Sequence, residues 1–280
     1  MDIRLAHSPD SDDAFMFYAL ATRKVQAPGL KFTHILSDIE TLNREAQQET
    51  YDITAISLSA YPLVKDKYVL TDCGASFGDG YGPLVVANRP IQAKDLAACR
   101  VAVPGPMTSS YLVLKLFAPE VQTVTMPFDK ILAAVKEGAA DAGLIIHEGQ
   151  LTYGQLGLHK VIDLGVWWQQ QTKLPLPLGG NVIRRSLPRE VAVAATRAIR
   201  RSINYALEHR EEALNYALQF AREMDPELAD RFVGMYVNRW TLSYGEVGRQ
   251  AVRELLARGA AAGLIPGPVE PEFLLEEEAA

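Results

Sequence analysis

Cysteine and histidine are scarce in this chain of 280 residues. It has two cysteines, Cys73 and Cys99, and five histidines. Two cysteines are too few for a disulfide framework, and these two lack the CxxC spacing of metal-binding or redox motifs. No two histidines stand in an HExxH or HxH arrangement, which are typical zinc-binding patterns. We therefore predict no metal site.

Excess positive charge and long apolar runs are also lacking. The formal net charge is −6, so the chain offers no long-range attraction to nucleic acid or to an anionic membrane surface, and neither is predicted as a partner. No segment approaches the ~20 apolar residues of a membrane span. Residues 1–13 carry charges and lack the apolar stretch of a secretory signal. We therefore expect a cytoplasmic protein.

What the chain does contain is one pattern of strands and helices that occurs twice. In the first copy, short apolar strands alternate with helical periods, and Ser37 and Glu40 form an S-x-x-E capping box before the second helix. The predicted order is strand 2–6, helix 12–22, strand 30–36, a helix from residue 37 and strand 52–56. The same β-α-β-α-β order returns from residue 100 to residue 146. This alternation predicts an α/β protein with two βαβαβ-cored lobes and largely parallel sheets.

Two segments between these copies predict a hinge. Residues 68–90 are rich in glycine and end in a strand, GPLVVAN, which we interpret as leaving the first lobe. A proline-rich segment with a Gly-Gly pair precedes NVIRR, which we interpret as the return. Two crossings make a two-segment hinge. The predicted division is 1–88 for the first part of lobe 1, 89–178 for lobe 2, and 179–280 for the return to lobe 1.

Ligands of open α/β sheets lie beyond the carboxyl ends of the strands, where helix N-termini and backbone N–H groups converge. Four stretches fit this rule, two from each lobe, namely 7–13, 57–59, 105–110 and 147–150. If the lobes face each other, all four line one cleft. The cleft suits a small-molecule carboxylate.

The candidate binding residues are hydroxyl side chains in two of these stretches. Thr108, Ser109 and Ser110 begin a helix, where hydroxyls and free N–H groups can hold an anion. The alternative for Thr108 is plain N-capping, which does not exclude ligand contact. Ser57 and Ser59 follow a buried strand, and the alternative for them is ordinary strand-end polarity.

His147 is the candidate catalytic residue. It follows a short apolar strand, and an uncharged imidazole at a strand end can accept a proton at neutral pH. The alternative is a structural histidine with satisfied ring nitrogens. Asp10, Asp12 and Asp13 could suggest a cation, but they begin a helix, where acidic side chains stabilise the positive end of the dipole. We favour the dipole interpretation.

The chain resembles the 1,4-dihydroxy-6-naphthoate synthases of the futalosine route to menaquinone. The resemblance rests on HSPDSDDAF, DITAISLSAYP, GASFGDGYGPLVV, VPGPMTS, GLIIHEGQLTY and LPLPLGGN, which lie between residues 7 and 181. It implies the two-lobed periplasmic-binding-protein type 2 fold and a cytoplasmic lyase without metal or organic cofactor. The implied reaction converts cyclic dehypoxanthinyl futalosine to 1,4-dihydroxy-6-naphthoate with loss of a ribose-derived three-carbon fragment.

The resemblance also implies roles for individual residues. His147 corresponds to the proton acceptor, and Ser57, Thr108 and Ser109 correspond to substrate-binding positions. Asn43 is a further position for which the resemblance implies substrate binding. Two other functions remain open at this point: chorismate dehydratase, a sister enzyme of the same pathway and fold, and a non-enzymatic protein that binds a small carboxylate. The oligomeric state is left open between monomer and homodimer.

Overall fold

The computed structural model describes residues 1–220 and 225–275. The strands, in chain order, are β1 (Asp2–His7), β2 (Lys31–Leu36), β3 (Ile53–Ser57), β4 (Tyr68–Thr71), β5 (Ser76–Gly78), β6 (Leu84–Ala87), β7 (Arg100–Val103), β8 (Gln122–Thr125), β9 (Ala142–Ile145), β10 (His159–Asp163), β11 (Leu176–Arg184) and β12 (Phe273–Leu274). The helices are α1 (Ser11–Ala21), α2 (Ile39–Ala46), α3 (Tyr61–Val64), α4 (Ser109–Phe117), α5 (Ile131–Lys136), α6 (Gly149–Thr152), α7 (Leu164–Thr172), α8 (Arg189–Glu208), α9 (Arg210–Ala217), α10 (Pro226–Tyr236), α11 (Arg239–Leu242) and α12 (Gly245–Ala261).

The first sheet has the strand order β12-β4-β11-β3-β1-β2, and β5 pairs with β11. Its centre is the predicted β-α-β-α-β unit, in which β1 lies between β2 and β3 and is parallel to both. Every residue of β3 is buried, as expected for a central strand covered by helices on both faces. The elements packed on this sheet form lobe 1.

The second sheet has the strand order β10-β6-β9-β7-β8. Here β7 lies between β8 and β9 and is parallel to both. As in lobe 1, the first strand of the β-α-β-α-β unit therefore lies between the second and the third. β6 and β10 complete the sheet in antiparallel pairing. The elements packed on it form lobe 2. The prediction of an α/β protein with two βαβαβ-cored lobes is therefore confirmed.

The strand pairing bears on where the chain crosses between the lobes. β6, which contains most of GPLVVAN, pairs with β9 and β10 and so belongs to the second sheet, not the first. β11 starts at Leu176 and belongs to the first sheet. The apolar sequence of β6 suits a buried position in either sheet, so its pattern did not reveal which one it joins. We propose crossings at residues 79–83 and 173–175 in place of boundaries at 88 and 178.

The helices after β11 pack on lobe 1. α8, α9 and α10 all contact α1. The α8 side chains that face α1 recur at helical spacing and are fully or almost fully buried, as with Ala195, Ile199 and Ile203. Burying an isoleucine side chain contributes ~1.5–3 kcal/mol. Within the part of the chain that is described, no helix is long and apolar enough to cross a membrane.

The cap of α2 differs from the predicted capping box. Asp38, not Ser37, is the N-cap, and its carboxylate accepts a hydrogen bond from the Thr41 N–H at 3.0 Å. The helix begins at Ile39, one residue later than a cap at Ser37 would give. Glu40 is therefore not used in capping, and its carboxylate instead accepts a hydrogen bond from the Met107 N–H of lobe 2 at 3.2 Å.

Candidate active site between the lobes

A cavity of about 130 Å³ lies between the two lobes. Lobe 1 contributes the β1–α1 loop, the end of β3, part of β11 and the end of α10, and lobe 2 contributes the N-terminus of α4 and the end of β9. These are mostly the carboxyl ends of strands and the helix starts that follow them, as the strand-end rule predicts. The polar and charged side chains that line it belong to Ser8, Asp10, Asp12, Asp13, Ser57, Ser76, Thr108, Ser109, Ser110, Asn181 and Tyr236.

Ser57 lines the cavity and is held there by Asn43. The Ser57 N–H donates to Asn43 Oδ1 at 2.8 Å, and Asn43 Nδ2 donates to Ser57 Oγ at 3.0 Å. Asn43 is completely buried and does not itself line the cavity. The two hydrogen bonds leave the Ser57 hydroxyl hydrogen available to a ligand oxygen, because Oγ is the acceptor in its bond with Asn43.

The hydroxyls at the start of α4 line the opposite wall. Thr108 is the N-cap, and its Oγ1 accepts from the Tyr111 N–H at 3.2 Å and donates to the Gly105 carbonyl at 2.8 Å. It therefore caps the helix and borders the cavity at the same time. Ser110 Oγ lies 3.0 Å from Thr108 Oγ1. Ser109 Oγ donates to the Leu178 carbonyl of lobe 1 at 2.6 Å.

Ser59, which we predict as a substrate-binding residue, is not among the residues that line the cavity. The chain turns tightly after β3, in a short 3-10 segment. This turn directs Ser59 Oγ to the Met107 carbonyl, to which it donates at 2.7 Å, and the Ser59 N–H donates to Ser109 Oγ at 3.1 Å. Ser59 thus joins lobe 1 to the loop before α4.

Gly105 allows this loop to approach lobe 1. A Cβ atom at this position would lie 2.3 Å from the carboxyl carbon of Glu40, which is much closer than van der Waals contact. Since the Glu40 carboxylate also accepts the Met107 N–H, a side chain at residue 105 would push the loop away from its partner. A substitution at residue 105 therefore has to displace either the end of the Glu40 side chain or the loop.

His147 is buried beside the cavity, and its ring is not part of the cavity wall. Nε2 lies 3.2 Å from the Phe128 carbonyl, and Nδ1 accepts from the Gly149 N–H at 3.1 Å. These partners assign the hydrogen to Nε2 and the lone pair to Nδ1. The Glu148 carboxylate is 3.6 Å from Nδ1. In this orientation both ring nitrogens have backbone partners, while the preceding residue, Ile146, lines the cavity.

The acidic residues at the start of α1 line the cavity as well as stabilising the helix. Asp12 and Asp13 lie in its first turn, so the dipole interpretation stands, but it was incomplete. Burial raises the pKa of Asp13 to about 6, although its carboxylate accepts the Ser8 N–H at 2.9 Å. Burial, followed by the charges of Asp13 and Asp10, raises the pKa of Asp12 well above its usual range. The cavity thus contains carboxyl groups with a reduced tendency to ionise.

Two further lining residues were missed because they come from distant parts of the chain. Tyr236, at the end of α10, donates its hydroxyl to Gln150 Oε1 of lobe 2 at 2.8 Å. Asn181, in β11, donates to the Gly74 carbonyl at 3.1 Å. Gly-Gly-Asn at residues 179–181 was one of the strings that carry the resemblance, which is a usable signal for Asn181. Nothing in the local sequence indicates Tyr236.

Comparisons with known proteins agree with this architecture. A family model described as menaquinone biosynthesis matches residues 3–261. The 1,4-dihydroxy-6-naphthoate synthase of Thermus thermophilus is 44% identical over 97% of this chain and 99% of its own length. The synthase of the same name from Streptomyces coelicolor is 40% identical over 94% of this chain and 95% of its own length.

Solved structures match over almost the whole chain. A protein from Archaeoglobus fulgidus superposes with a TM-score of 0.91 at 50% identity, covering 94% of this chain and 98% of its own. A Candida albicans protein described as having the generic periplasmic binding protein fold gives a TM-score of 0.73 at 13% identity, covering 96% of this chain and 92% of its own. This confirms the predicted periplasmic-binding-protein-like fold. The chain belongs to the menaquinone biosynthesis family.

Proposed function

We propose that this chain is a 1,4-dihydroxy-6-naphthoate synthase, a cytoplasmic lyase that converts cyclic dehypoxanthinyl futalosine to 1,4-dihydroxy-6-naphthoate with loss of a three-carbon fragment. The observation that carries the proposal is the cavity between the lobes, in which Ser57 of lobe 1 faces the hydroxyl-rich start of α4 in lobe 2. The names of the two curated relatives support the choice of reaction.

The start of α4 is suited to hold the substrate carboxylate. The first N–H groups of a helix have no partner within it and carry the positive end of the dipole. Ser57 supplies a hydroxyl hydrogen from the opposite wall, and Thr108 and Ser109 can donate to a carboxylate once they release the Gly105 and Leu178 carbonyls. The raised pKa of Asp12 reduces the negative charge that a substrate carboxylate meets in the same cavity.

We propose His147 as the general base. Its Nδ1 holds a lone pair, and the neighbouring Ile146 lines the cavity, so the ring is adjacent to any occupant. Accepting a proton from substrate requires the ring to turn away from the Gly149 N–H, since that bond now uses the Nδ1 lone pair. Exclusion of water in the closed cleft strengthens the electrostatic interactions that assist proton transfer.

Turnover by purified protein tests the reaction. We expect cyclic dehypoxanthinyl futalosine to give the naphthoate product, followed by its absorbance and by mass spectrometry, and chorismate to give none. Conversion of chorismate alone would establish the dehydratase alternative. Tight binding of a small carboxylate without turnover of either compound would support the non-enzymatic alternative.

Substitution of His147 tests the general base. We expect His147→Ala to fold and to keep its affinity for product while kcat falls by a factor of ~10² or more, the usual size of general-base effects. His159→Ala is the control, because His159 is an exposed histidine on β10. A kcat of His147→Ala close to that of the control would remove His147 from the mechanism.

A further inference from the structure

A second, larger opening lies beside the cavity between the lobes. This groove has a volume of about 510 Å³ and is lined by residues of both lobes, among them Ile39 and Glu40 of lobe 1 and Phe128 and Asp129 of lobe 2. Ile39 and Ile146 line both the groove and the inner cavity. The two spaces are therefore neighbours that share a wall.

We propose that the groove is a second subsite that binds the hydroxylated, ribose-derived part of the substrate, while the inner cavity binds the ring system that carries the carboxylate. This inference rests on the proposed function. It concerns which part of the substrate occupies which space, and it involves no additional bond-breaking step.

Size supports the division. Pockets that enclose a whole small-molecule ligand are usually ~300–1,000 Å³, and the inner cavity is about 130 Å³. A substrate that consists of a carboxylated ring system with a ribose-derived part is larger than the product, which has lost three carbon atoms. The groove, at about 510 Å³, supplies additional room next to the inner cavity for the part that the product has lost.

The polar groups of the two spaces also support the division of the substrate between them. The inner cavity presents hydroxyl groups and a helix N-terminus, which suit a carboxylate, beside three aspartates, of which Asp12 and Asp13 have raised pKa values. The groove presents carboxylates as hydrogen-bond acceptors, which suit hydroxyl donors. The Asp129 side chain is 42% exposed and lies 3.5 Å from Lys130, and Asp38 and Glu40 each accept a backbone N–H with lone pairs remaining.

His147 lines neither space, but it lies directly behind the wall that the two spaces share. Its Nε2 lies 3.2 Å from the carbonyl of Phe128, a groove residue, and the two rings pack edge to face with centroids 5.3 Å apart. Its chain neighbour Ile146 borders both spaces. A substrate that occupies both subsites therefore places the junction between its two parts beside the proposed base.

Filling the groove without touching the inner cavity tests this division. Thr125 is exposed at the end of β8 and lines the groove, so Thr125→Trp places a large ring there at little cost to folding. Gln122→Trp, at the exposed start of the same strand, is the matched control, since Gln122 lines neither space. Asp129→Ala is a second variant that removes an acceptor without adding bulk.

The readouts are the KM for cyclic dehypoxanthinyl futalosine and the Kd for 1,4-dihydroxy-6-naphthoate, measured by calorimetry. We expect Thr125→Trp to raise the KM by about tenfold or more, one step on the affinity scale, and Asp129→Ala to raise it less, with the product Kd unchanged in both. Gln122→Trp should change neither quantity. An unchanged KM in both groove variants, or an equal rise in KM and product Kd, would overturn the subsite. Absence of turnover in the unsubstituted protein would instead refute the proposed function.

Discussion

Removal of the Tyr236 hydroxyl should weaken the closed arrangement of the lobes. This hydroxyl donates to Gln150 Oε1 at 2.8 Å, and the two residues are only 3% and 6% exposed. Tyr236 belongs to α10, which packs on α1 in lobe 1. Gln150 belongs to α6 of lobe 2, three residues after His147. The hydrogen bond therefore connects the lobes next to the proposed base.

The size of the effect follows from burial. In Tyr236→Phe the Gln150 carbonyl loses its partner in a place that water does not reach, which costs ~1–3 kcal/mol. If the cost falls on the closed arrangement alone, the closed population decreases by a factor of roughly 5–150. Since the proposed chemistry needs both walls of the cavity, kcat/KM should fall by up to that factor.

Steady-state kinetics with a matched control measure this. Tyr216→Phe also removes a tyrosine hydroxyl, but Tyr216 lies on α9 and does not line the cavity. In the double variant Tyr236→Phe with Gln150→Leu, part of the loss should be recovered, because no buried acceptor is left unpaired. If Tyr236→Phe matched Tyr216→Phe in kcat/KM and in its urea midpoint, the hydrogen bond would not be holding the lobes together.

Three further variants test the packing around the site. Burial lowers the pKa of His7 and His34 to about 4, so the native state binds fewer protons than the unfolded state between pH 6.5 and 4. The free energy of unfolding should therefore fall as the pH is lowered across this window, by on the order of 3 kcal/mol per group. Urea titrations should show a smaller fall in His34→Phe, and a fall equal to that of the unsubstituted protein would contradict this reasoning. Asn43→Ala removes both hydrogen bonds to Ser57, so it should lower the free energy of unfolding by ~1–3 kcal/mol. It should also weaken product binding measured by calorimetry. An unchanged product affinity would show that Ser57 does not need these hydrogen bonds to bind. Gly105→Ala should lower the Tm in a thermal melt, because its methyl would lie 2.3 Å from a glutamate carboxyl carbon; an unchanged Tm would show that the loop can move without cost.

Local sequence was enough to predict the positions of most polar residues at strand ends. Ser57, Thr108, Ser109 and Ser110 all line the cavity. They could be predicted because a buried strand has a recognisable apolar run, and its carboxyl end is the side of the sheet where ligands lie. The same reasoning does not foresee the tight turn after β3, which directs the Ser59 side chain to the Met107 carbonyl.

Interactions between distant segments set the rest of the site. The His147 ring is oriented by the Phe128 carbonyl and the Gly149 N–H, and the first of these partners comes from another element. Tyr236 reaches the cavity only because α10 packs on α1. No periodicity near residue 236 indicates that contact.

The strands and helices of the two β-α-β-α-β units, their twofold repetition and the stretches available for binding could be predicted from the sequence alone, because apolar periodicity and helix-start residues act over a few neighbouring positions. Tertiary structure alone decided which sheet β6 joins, how the His147 ring turns and how the space between the lobes divides into a cavity and a groove. Each of these depends on contacts between residues far apart in the chain, and such contacts leave no local pattern.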